Sequence, residues 1–547
     1  MSTAVTHDTA TSVRNRFIES SGIGIMEEPR VKNAIISVSD KLGLTDFAKG
    51  LVTAGVRIYS TGGTRRHLES SGIPVTDISA YTGFPEMMDG RLKTLHPKVH
   101  GGILNRRDNP QDQEALEKYG IETFELIVVN LYPFEQTVAR ADVTDAEAIE
   151  NIDIGGPTMI RAAAKNHQFC AVVTSPDQYA SVLEQIQKTG CTTLSMRRSL
   201  AQAAFSKTAA YDLAISQYFA ERSADIEFPQ KLTTSIDLKT VLRYGENPHQ
   251  KAALYVDPKS KTASAVSARV LNGKALSYNN LLDLDNALSL VRSFQEPAAA
   301  VLKHNNPCGA ALGKTPVEAI RKAMEGDPLS AFGSILGFNR AVDGESAEYL
   351  STPGLFVEAI IAPEFTPEAI EILTTKPKWK ANVRLLECGS LTTPPTSWQV
   401  RPLEGGALFQ EADNLPDPEE DWTVVTDAHP SEEQTRDLRF AWSIVRFVKS
   451  NAIVIGKDQM ILGVGAGQMS RVDSVKIAVE KSGKRISGSV LASDAFFPFP
   501  DGLQTAAEAG VTAFIQPGGS RNDAVVIDAC NKFGLPMIFT GRRHFKH

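Results

Sequence analysis

The chain is poor in cysteine: five in 547 residues, Cys170, Cys191, Cys308, Cys388 and Cys530, scattered without paired spacing. That excludes a disulfide-stapled scaffold and a cysteine-built zinc framework, and it fits a reducing compartment, so the expected location is the cytoplasm. No apolar run is long enough to span a bilayer, which argues against a membrane partner. A basic excess is missing too: 57 Lys and Arg face 64 Asp and Glu, for a net charge of -7. The chain therefore carries no footprint for nucleic acid. Anionic ligands must be held by local clusters of Lys, Arg and backbone N–H groups. The first thirty residues are rich in Ser and Thr and lack an apolar core, so residues 1–30 are read as a disordered tail and not a secretory signal.

The composition is otherwise that of a globular protein, with 42% hydrophobic and 22% charged residues. The length exceeds what one core supports and suggests about three or four domain-sized units. From Val31, strands alternate with helices. Asn33–Ser39, Val56–Ser60, Leu126–Asn130 and Cys170–Thr174 read as strands, with a helix over Gly43–Ala54 and another over about Leu200–Ala220. That alternation predicts an α/β fold with a mostly parallel sheet. Glu221–Ser235 is charged and irregular, a linker. Two further α/β stretches follow, about 240–375 and 425–547, separated by the Pro-, Thr- and Gly-rich segment Leu391–Asp421, read as a boundary or long connection.

The strongest chemical signal is Lys303-His304, at the end of the apolar run Ala298–Leu302. The run reads as a buried strand, and Asn305-Asn306-Pro307-Cys308-Gly309 reads as a sharp turn. Such a strand end delivers side chains to a sheet rim, where a cation beside an imidazole suits proton transfer. In the first stretch, Ser39-Asp40-Lys41 and Thr61-Gly62-Gly63-Thr64 each end a strand and open a helix, a composition able to cradle phosphate. Gly90–Pro97 packs Arg91, Lys93, Thr94 and His96 into one turn. Arg161 and Lys165 lie four apart, so a helix facing a phosphate site could present both inward.

These strings, with Asn130-Leu-Tyr132-Pro-Phe134 and Asp153-Ile-Gly-Gly156, resemble inosine monophosphate cyclohydrolase. Arg243-Tyr244-Gly-Glu-Asn-Pro-His-Gln250, Lys303-His304, Ser330-Ala-Phe-Gly333, Gly465-Ala-Gly-Gln-Met-Ser-Arg471, Ser493-Asp-Ala-Phe-Phe-Pro-Phe499 and the basic C-terminus resemble AICAR transformylase. Every block occurs in order, from about Val31 to His547. The resemblance is to the family that joins both activities in one chain. It implies a methylglyoxal-synthase-like parallel-sheet domain over 31–225, then a transformylase region of two cytidine-deaminase-like subdomains, 236–390 and 422–547.

The implied reactions are formyl transfer from 10-formyltetrahydrofolate to AICAR, giving FAICAR, and closure of FAICAR to IMP with loss of water. For the transfer, the family pattern implies His304 as base, directly or through the carboxamide. Lys303 stabilises the oxyanion or protonates the folate nitrogen. Arg243 and Arg543 anchor phosphate with Tyr244 alongside, and Asn451 lies near the formyl group. Gln468, Arg471, Val472, Phe496 and Asp501 line the pocket, and Gly333 and Glu358 touch ligand. For Phe496 and Phe497 core packing is the competing reading. For closure, the pattern implies Lys165 as proton donor or acceptor. Arg91 and Lys93, with Thr94, hold the carboxamide and formyl oxygens or the phosphate. Ser39, Lys41, Thr61, Gly62, Gly63 and Thr64 hold phosphate, and Asn130, Tyr132 and Asp153 complete the site. His96 and His100 are read as structural. The expected partners are the small-molecule substrates and a second copy in a homodimer; no catalytic metal is expected. A regulatory nucleotide binder is the rival reading, but a binder needs no proton-transfer groups at Lys165 and Lys303-His304.

Overall fold

The computed structural model describes residues 28–88, 91–220, 222, 228–258, 260–392, 398–414 and 416–547. It divides into two compact units, Met1–Ser235 and Ile236–His547. Most of the expected tail, residues 1–27, and part of the expected linker lie outside the described residues. Residues 28–30 do not belong to a tail: Glu28 pairs with the buried Arg197 at 2.7 Å, and Arg30 bridges to Cys191. No helix among the described residues is long and apolar enough to cross a membrane.

The first unit is a five-stranded parallel sheet. Its elements, in chain order, include β1 (Asn33–Val38), α1 (Leu44–Thr53), β2 (Arg57–Ser60), α2 (Gly62–Ser70), β3 (Thr76–Asp77), β4 (Leu126–Asn130), α3 (Gly155–Lys165), β5 (Ala171–Val173) and α4 (Leu194–Ala220). The sheet order is β3-β2-β1-β4-β5. β1 and β4 are near-continuous apolar runs because helices cover both sheet faces. α4 begins six residues before the expected Leu200. Its signal there is weak because polar residues sit on the exposed side of its first turns.

The second unit holds a twelve-stranded mixed sheet. Two runs of elements build it in the same order. The first is β8 (Arg269–Asn272), α5 (Tyr278–Arg292), β9 (Ala298–Lys303), β10 (Asn306–Leu312), α6 (Pro316–Gly326), β11 (Ser334–Phe338), β12 (Val357–Ala362) and β13 (Arg384–Glu387). It follows the antiparallel pair β6 (Asp237–Leu242) and β7 (Ala252–Val256). The second is β16 (Thr423–Val424), α7 (Glu432–Val445), β17 (Ile453–Lys457), β18 (Met460–Gly465), α8 (Arg471–Ser482), β19 (Ser489–Ser493), β20 (Val511–Gln516) and β21 (Met537–Phe539). Each run pairs as a hairpin followed by three parallel strands, and β10 joins β18 antiparallel at the centre. The architecture is therefore an internal repeat. Alternate residues of β9 serve opposite faces: Ala298, Ala300 and Leu302 enter a core shared with α5 and α7, while Ala299 and Val301 pack under α6.

Two expectations change. The sharp turn expected over Asn305–Gly309 is shorter than that and starts one residue earlier. The turn is His304-Asn305 alone, and Asn306 to Leu312 return as β10, with Asn306 opposite Lys303. His304 and Asn305 have φ of 52° and 65°, as a two-residue hairpin twisted with its strands requires. Pro307 misled the reading; it sits in β10 at the irregularity between Pro307 and Gly309. Within Leu391–Asp421 there is an antiparallel hairpin, β14 (Trp398–Leu403) with β15 (Gly406–Glu411), while 393–397 and 415 lie outside the described residues.

Candidate functional site

In the first unit a cavity of about 420 Å³ opens where β1, β2 and β4 end. Ser39, Thr61, Arg91, Lys93, Thr94, Asn130, Tyr132 and Asp153 line it. Two helices begin at this cavity, α2 after Thr61 and α3 after Ile154; neither N-cap side chain caps its helix, and in α3 the Asp153 carboxylate takes one first-turn N–H, that of Gly156. Their first-turn N–H groups have no intrahelical acceptor and carry the positive helix end, which suits an anion. Lys93 adds a charge: a Cβ on Gly62 would lie 3.6 Å from its Nζ. Gly155 matters for the same approach, since a Cβ there would come within 2.8 Å of Thr94 Oγ1.

The other expected residues shape this wall. Asn130 Oδ1 accepts the N–H of Ser39 at 2.5 Å and of Asp40 at 3.0 Å, folding the loop after β1. The Lys41 ammonium donates to the Ser39 carbonyl at 3.2 Å. Thr64 is buried, and its hydroxyl exchanges hydrogen bonds with the Val38 backbone, clamping α2 to β1. Gly63 is the second residue of α2. Asp153 accepts the Gly156 N–H at 2.8 Å, while its own N–H donates to the Tyr211 hydroxyl at 2.8 Å. Burial pushes the Asp153 carboxyl up, against the pull of N–H groups from Gly156 and Tyr132. Two cations at the mouth already face carboxylates: Arg91 pairs with Glu150, and Lys93 with Glu86 at 3.0 Å.

Lys165 is placed elsewhere. It is the last residue of α3, ten residues from Gly155 and so about 15 Å along the axis. Lys165 and Arg161 do share a face, but the face is exposed, and Arg161 lies 5.6 Å from the ring of Phe205. The expectation that both point inward is corrected: the buried stripe of α3 is Met159, Ile160, Ala163 and Ala164. His96 caps the helix Pro97–Leu104 through Nδ1, which accepts the Lys98 N–H at 3.1 Å.

In the second unit a cavity of about 380 Å³ is lined by Asn451, Arg471, Val472, Phe496, Asp501 and Arg543, among others. Arg471 is only 8% exposed and organises it. Its guanidinium donates to Asp494 at 2.5 Å, Ser493 at 2.7 Å and Asn451 Oδ1 at 2.8 Å. The Asn451 amide in turn donates to the carbonyls of Gln468, at 2.9 Å, and Met469. Phe496 and Phe497 both line the cavity, and Phe497, 1% exposed, also packs in the core.

The Lys303-His304 hairpin is stitched to this cavity wall. Asn306 Oδ1 accepts the Lys449 N–H at 3.0 Å, two residues before Asn451. Asn305 accepts from the Asn286 amide, and Asn286 Oδ1 accepts from the Lys546 ammonium at 2.8 Å. Burial lowers the Lys546 pKa to about 8. The Lys546 carbonyl accepts the Ser450 N–H at 2.8 Å. Thus the C-terminal segment holds both Arg543 in the cavity and the hairpin tip. His544, 3% exposed, anchors that segment: its ring nitrogens lie 2.6 Å from Asp413 and 2.8 Å from Asp417, and its N–H donates to the Asp494 carbonyl. Asn286, Asp494, Lys449, Lys546 and His544 were missed because each acts through contacts across 19 or more residues, without a local pattern.

The remaining expected residues lie outside the cavity lining. The Lys303 ammonium donates to the Phe332 carbonyl at 2.9 Å, and the next residue, Gly333, has φ 73°. Glu358 pairs with Arg384 at 2.5 Å. Arg243 is exposed, lies over the Tyr244 ring at 4.7 Å and donates to its hydroxyl.

The described residues form a two-unit α/β protein with a cavity in each unit, lined by Arg91 and Lys93 in the first and by Arg471 and Arg543 in the second. Residues 43–158 match the MGS-like domain and residues 163–481 the AICARFT/IMPCHase bienzyme. The chain is 57% identical over 517 residues to the bifunctional purine biosynthesis protein PurH of Rhodopirellula baltica, covering 94% of this chain and 99% of that one. It is 50% identical over 516 residues to the protein of the same name from Bacillus cereus strain B4264, covering 94% and 100%. A solved structure, that of ForH, is 34% identical with a TM-score of 0.33, covering 35% of this chain and 97% of the other. The chain belongs to the AICARFT/IMPCHase bienzyme family, the bifunctional AICAR formyltransferase and IMP cyclohydrolase of purine biosynthesis.

Proposed function

We propose that the second unit carries formyl transfer and the first carries ring closure. The observation that supports this division is the tip of the β9–β10 hairpin, where Lys303-His304 is tied through Asn306 and Lys449 to the Asn451–Arg471 wall.

AICAR's 5-amino group is a weak nucleophile because its lone pair is drawn toward the carboxamide. His304 accepts its proton, directly or through the carboxamide, as the nitrogen bonds to the formyl carbon of 10-formyltetrahydrofolate. General-base help of this kind contributes about 10²–10⁴-fold. Lys303 stabilises the oxyanion or protonates N10 of the folate as the carbon–nitrogen bond to it breaks. Asn451 holds the formyl oxygen, Phe496 and Val472 give the apolar wall, and Arg471 and Asp501 fix its polar edge. Gln468, Gly333 and Glu358 position this shell. Arg543 anchors the phosphate.

Arg243 and Tyr244 join Arg543 only when a second copy of the chain supplies them. Arg243 is exposed and Tyr244 half-buried beside β6 and β7, whose Val241 and Tyr255 are exposed. We therefore propose a homodimer, with AICAR, FAICAR, IMP and reduced folate as its small-molecule ligands. The chemistry uses proton carriers and N–H donors already present and calls for no metal. The proposed location is the cytoplasm, a reducing compartment that suits the five free cysteines.

For closure, the carboxamide nitrogen of FAICAR attacks its formyl carbon, and the carbinolamine loses water. Both partners are tethered, so positioning is most of the task. The N-termini of α2 and α3, Ser39, Lys41 and Thr61 to Thr64 hold the phosphate. Arg91, Lys93 and Thr94 bind the carbonyl oxygens. Asp153, held by Tyr211 and Gly156, and Tyr132 orient the reacting groups. Lys165, exposed at the far end of α3, serves as proton carrier for the cavity of the second copy. Purified protein given AICAR and 10-formyltetrahydrofolate is expected to yield IMP on chromatography. FAICAR as the sole product would contradict the first-unit assignment, and no turnover would contradict both.

A further inference from the structure

His304 sits in the left-handed region, and so does Asn305. A pair of non-glycine residues there needs support from its surroundings. The support comes from α5. Asp283 Oδ1 accepts the Asn305 N–H at 2.6 Å, and the same carboxylate is drawn to the N–H and the imidazole of His304. The internal repeat supplies a twin. In the second run, Asp458 and Gln459 form the corresponding turn, with φ of 52° and 54°. Asp437 accepts both of their N–H groups, at 3.0 and 2.7 Å. Asp283 and Asp437 are each the sixth residue of their helices, α5 and α7, which both start with a serine capping box. A carboxylate at this position therefore builds the hairpin turn in both runs. In the first run alone the turn also carries an imidazole, beside the carboxylate.

We propose that Asp283 is a positioning residue for formyl transfer: it fixes the His304 ring and stabilises it when it has taken the proton. The inference rests on the reading of His304 as the base. The other ionisable groups around the tip are cationic or turned elsewhere. Lys303 donates to the Phe332 carbonyl, Lys449 lies beyond Asn306, and Lys546 is held by Asn286 and the Phe447 carbonyl. Asp285, on the same helix, faces Lys546 and Arg292. Asp283 is thus the carboxylate that bonds the tip. Burial pushes its carboxyl up, while the two turn N–H groups and the charge of His304 pull it back.

The test is the pH dependence of formyl transfer in the full-length protein. Asp283→Asn keeps an oxygen to accept the Asn305 N–H but removes the charge. A nearby negative charge favours imidazolium, so its loss moves the acid limb of the kcat/KM profile to lower pH, by about one unit. Asp283→Glu, which keeps the charge, leaves the limb in place with lower kcat. Asp437→Asn makes the same change at the twin turn; it is expected to lower the unfolding midpoint as much as Asp283→Asn does and to leave the limb unmoved. An Asp283→Asn profile superimposable on those of the wild type and Asp437→Asn would reduce Asp283 to turn support and overturn the proposal. His304→Ala separates the two readings. If it retains formyl transfer, the base assignment fails; if it loses transfer while the Asp283→Asn limb stays put, the positioning role alone fails.

Discussion

At the scale of single residues, the second unit depends on a histidine that does no chemistry. Burial alone would lower the pKa of His544, but the carboxylates of Asp413 and Asp417 on its two nitrogens leave it above its ordinary value. The folded state thus holds this proton more tightly than the unfolded chain. Its contribution to stability is complete below the ordinary value near 6.5 and fades as pH rises through the folded-state value. Asp417, held below the usual carboxylate range by His544 and Trp442 despite its burial, contributes in the opposite sense and loses its share only in acid. The unfolding midpoint of the wild type is therefore expected to fall by a few degrees between pH 6 and 9, and His544→Gln to flatten that slope. Equal slopes in a thermal titration of both proteins would contradict the assignment. His544 was invisible in the sequence because its partners lie 127 and 131 residues away. By contrast Lys93, Thr94 and Asp153 announced themselves, since the loops and helix ends that carry them are local patterns.

At the scale of elements, the repeat in the second unit depends on close approach of helix to strand. A Cβ on Gly309 in β10 would lie 1.9 Å from the Ala323 carbonyl of α6, and one on Gly465 in β18 would lie 1.9 Å from the Ser474 carbonyl of α8. Backbone cannot yield as a side-chain tip can. Gly309→Ala and Gly465→Ala are each expected to cost about 1–3 kcal/mol in urea unfolding, and to cost the same within error. A neutral result at either would mean the two strands do not pack alike. Strands and helices of the first unit were legible because apolar runs and glycine turns marked them, as at Leu126–Asn130. The hairpin at His304 was not, because neither Asn306 nor Pro307 reads as strand, and the two-residue turn contains no glycine. Here the carboxylate of Asp283 does what glycine does elsewhere. The repeat was legible only as two α/β stretches, about 240–375 and 425–547, and not residue by residue, because it is carried by topology and by a few positions such as two aspartates 154 residues apart.

At the scale of the molecule, the proposal gives the two units separate chemistry, and the exposed end of α3 bears on the proposed homodimer. If Lys165 serves the cavity of a second copy, chains carrying Lys93→Met and Lys165→Ala complement each other when unfolded and refolded together. A mixed dimer has one intact cavity, so closure of FAICAR recovers to roughly a quarter of the wild-type rate, while each variant alone stays inactive. No recovery would place Lys165 and Lys93 in one chain's site or remove Lys165 from catalysis. The division of labour between the units is tested most directly by product analysis of two variants, His304→Ala and Lys93→Met, each supplied first with AICAR and 10-formyltetrahydrofolate and then with FAICAR. His304→Ala is expected to make nothing from AICAR yet to close FAICAR at the wild-type rate, whereas Lys93→Met is expected to formylate AICAR and accumulate FAICAR. Loss of both activities in either folded variant would contradict that division.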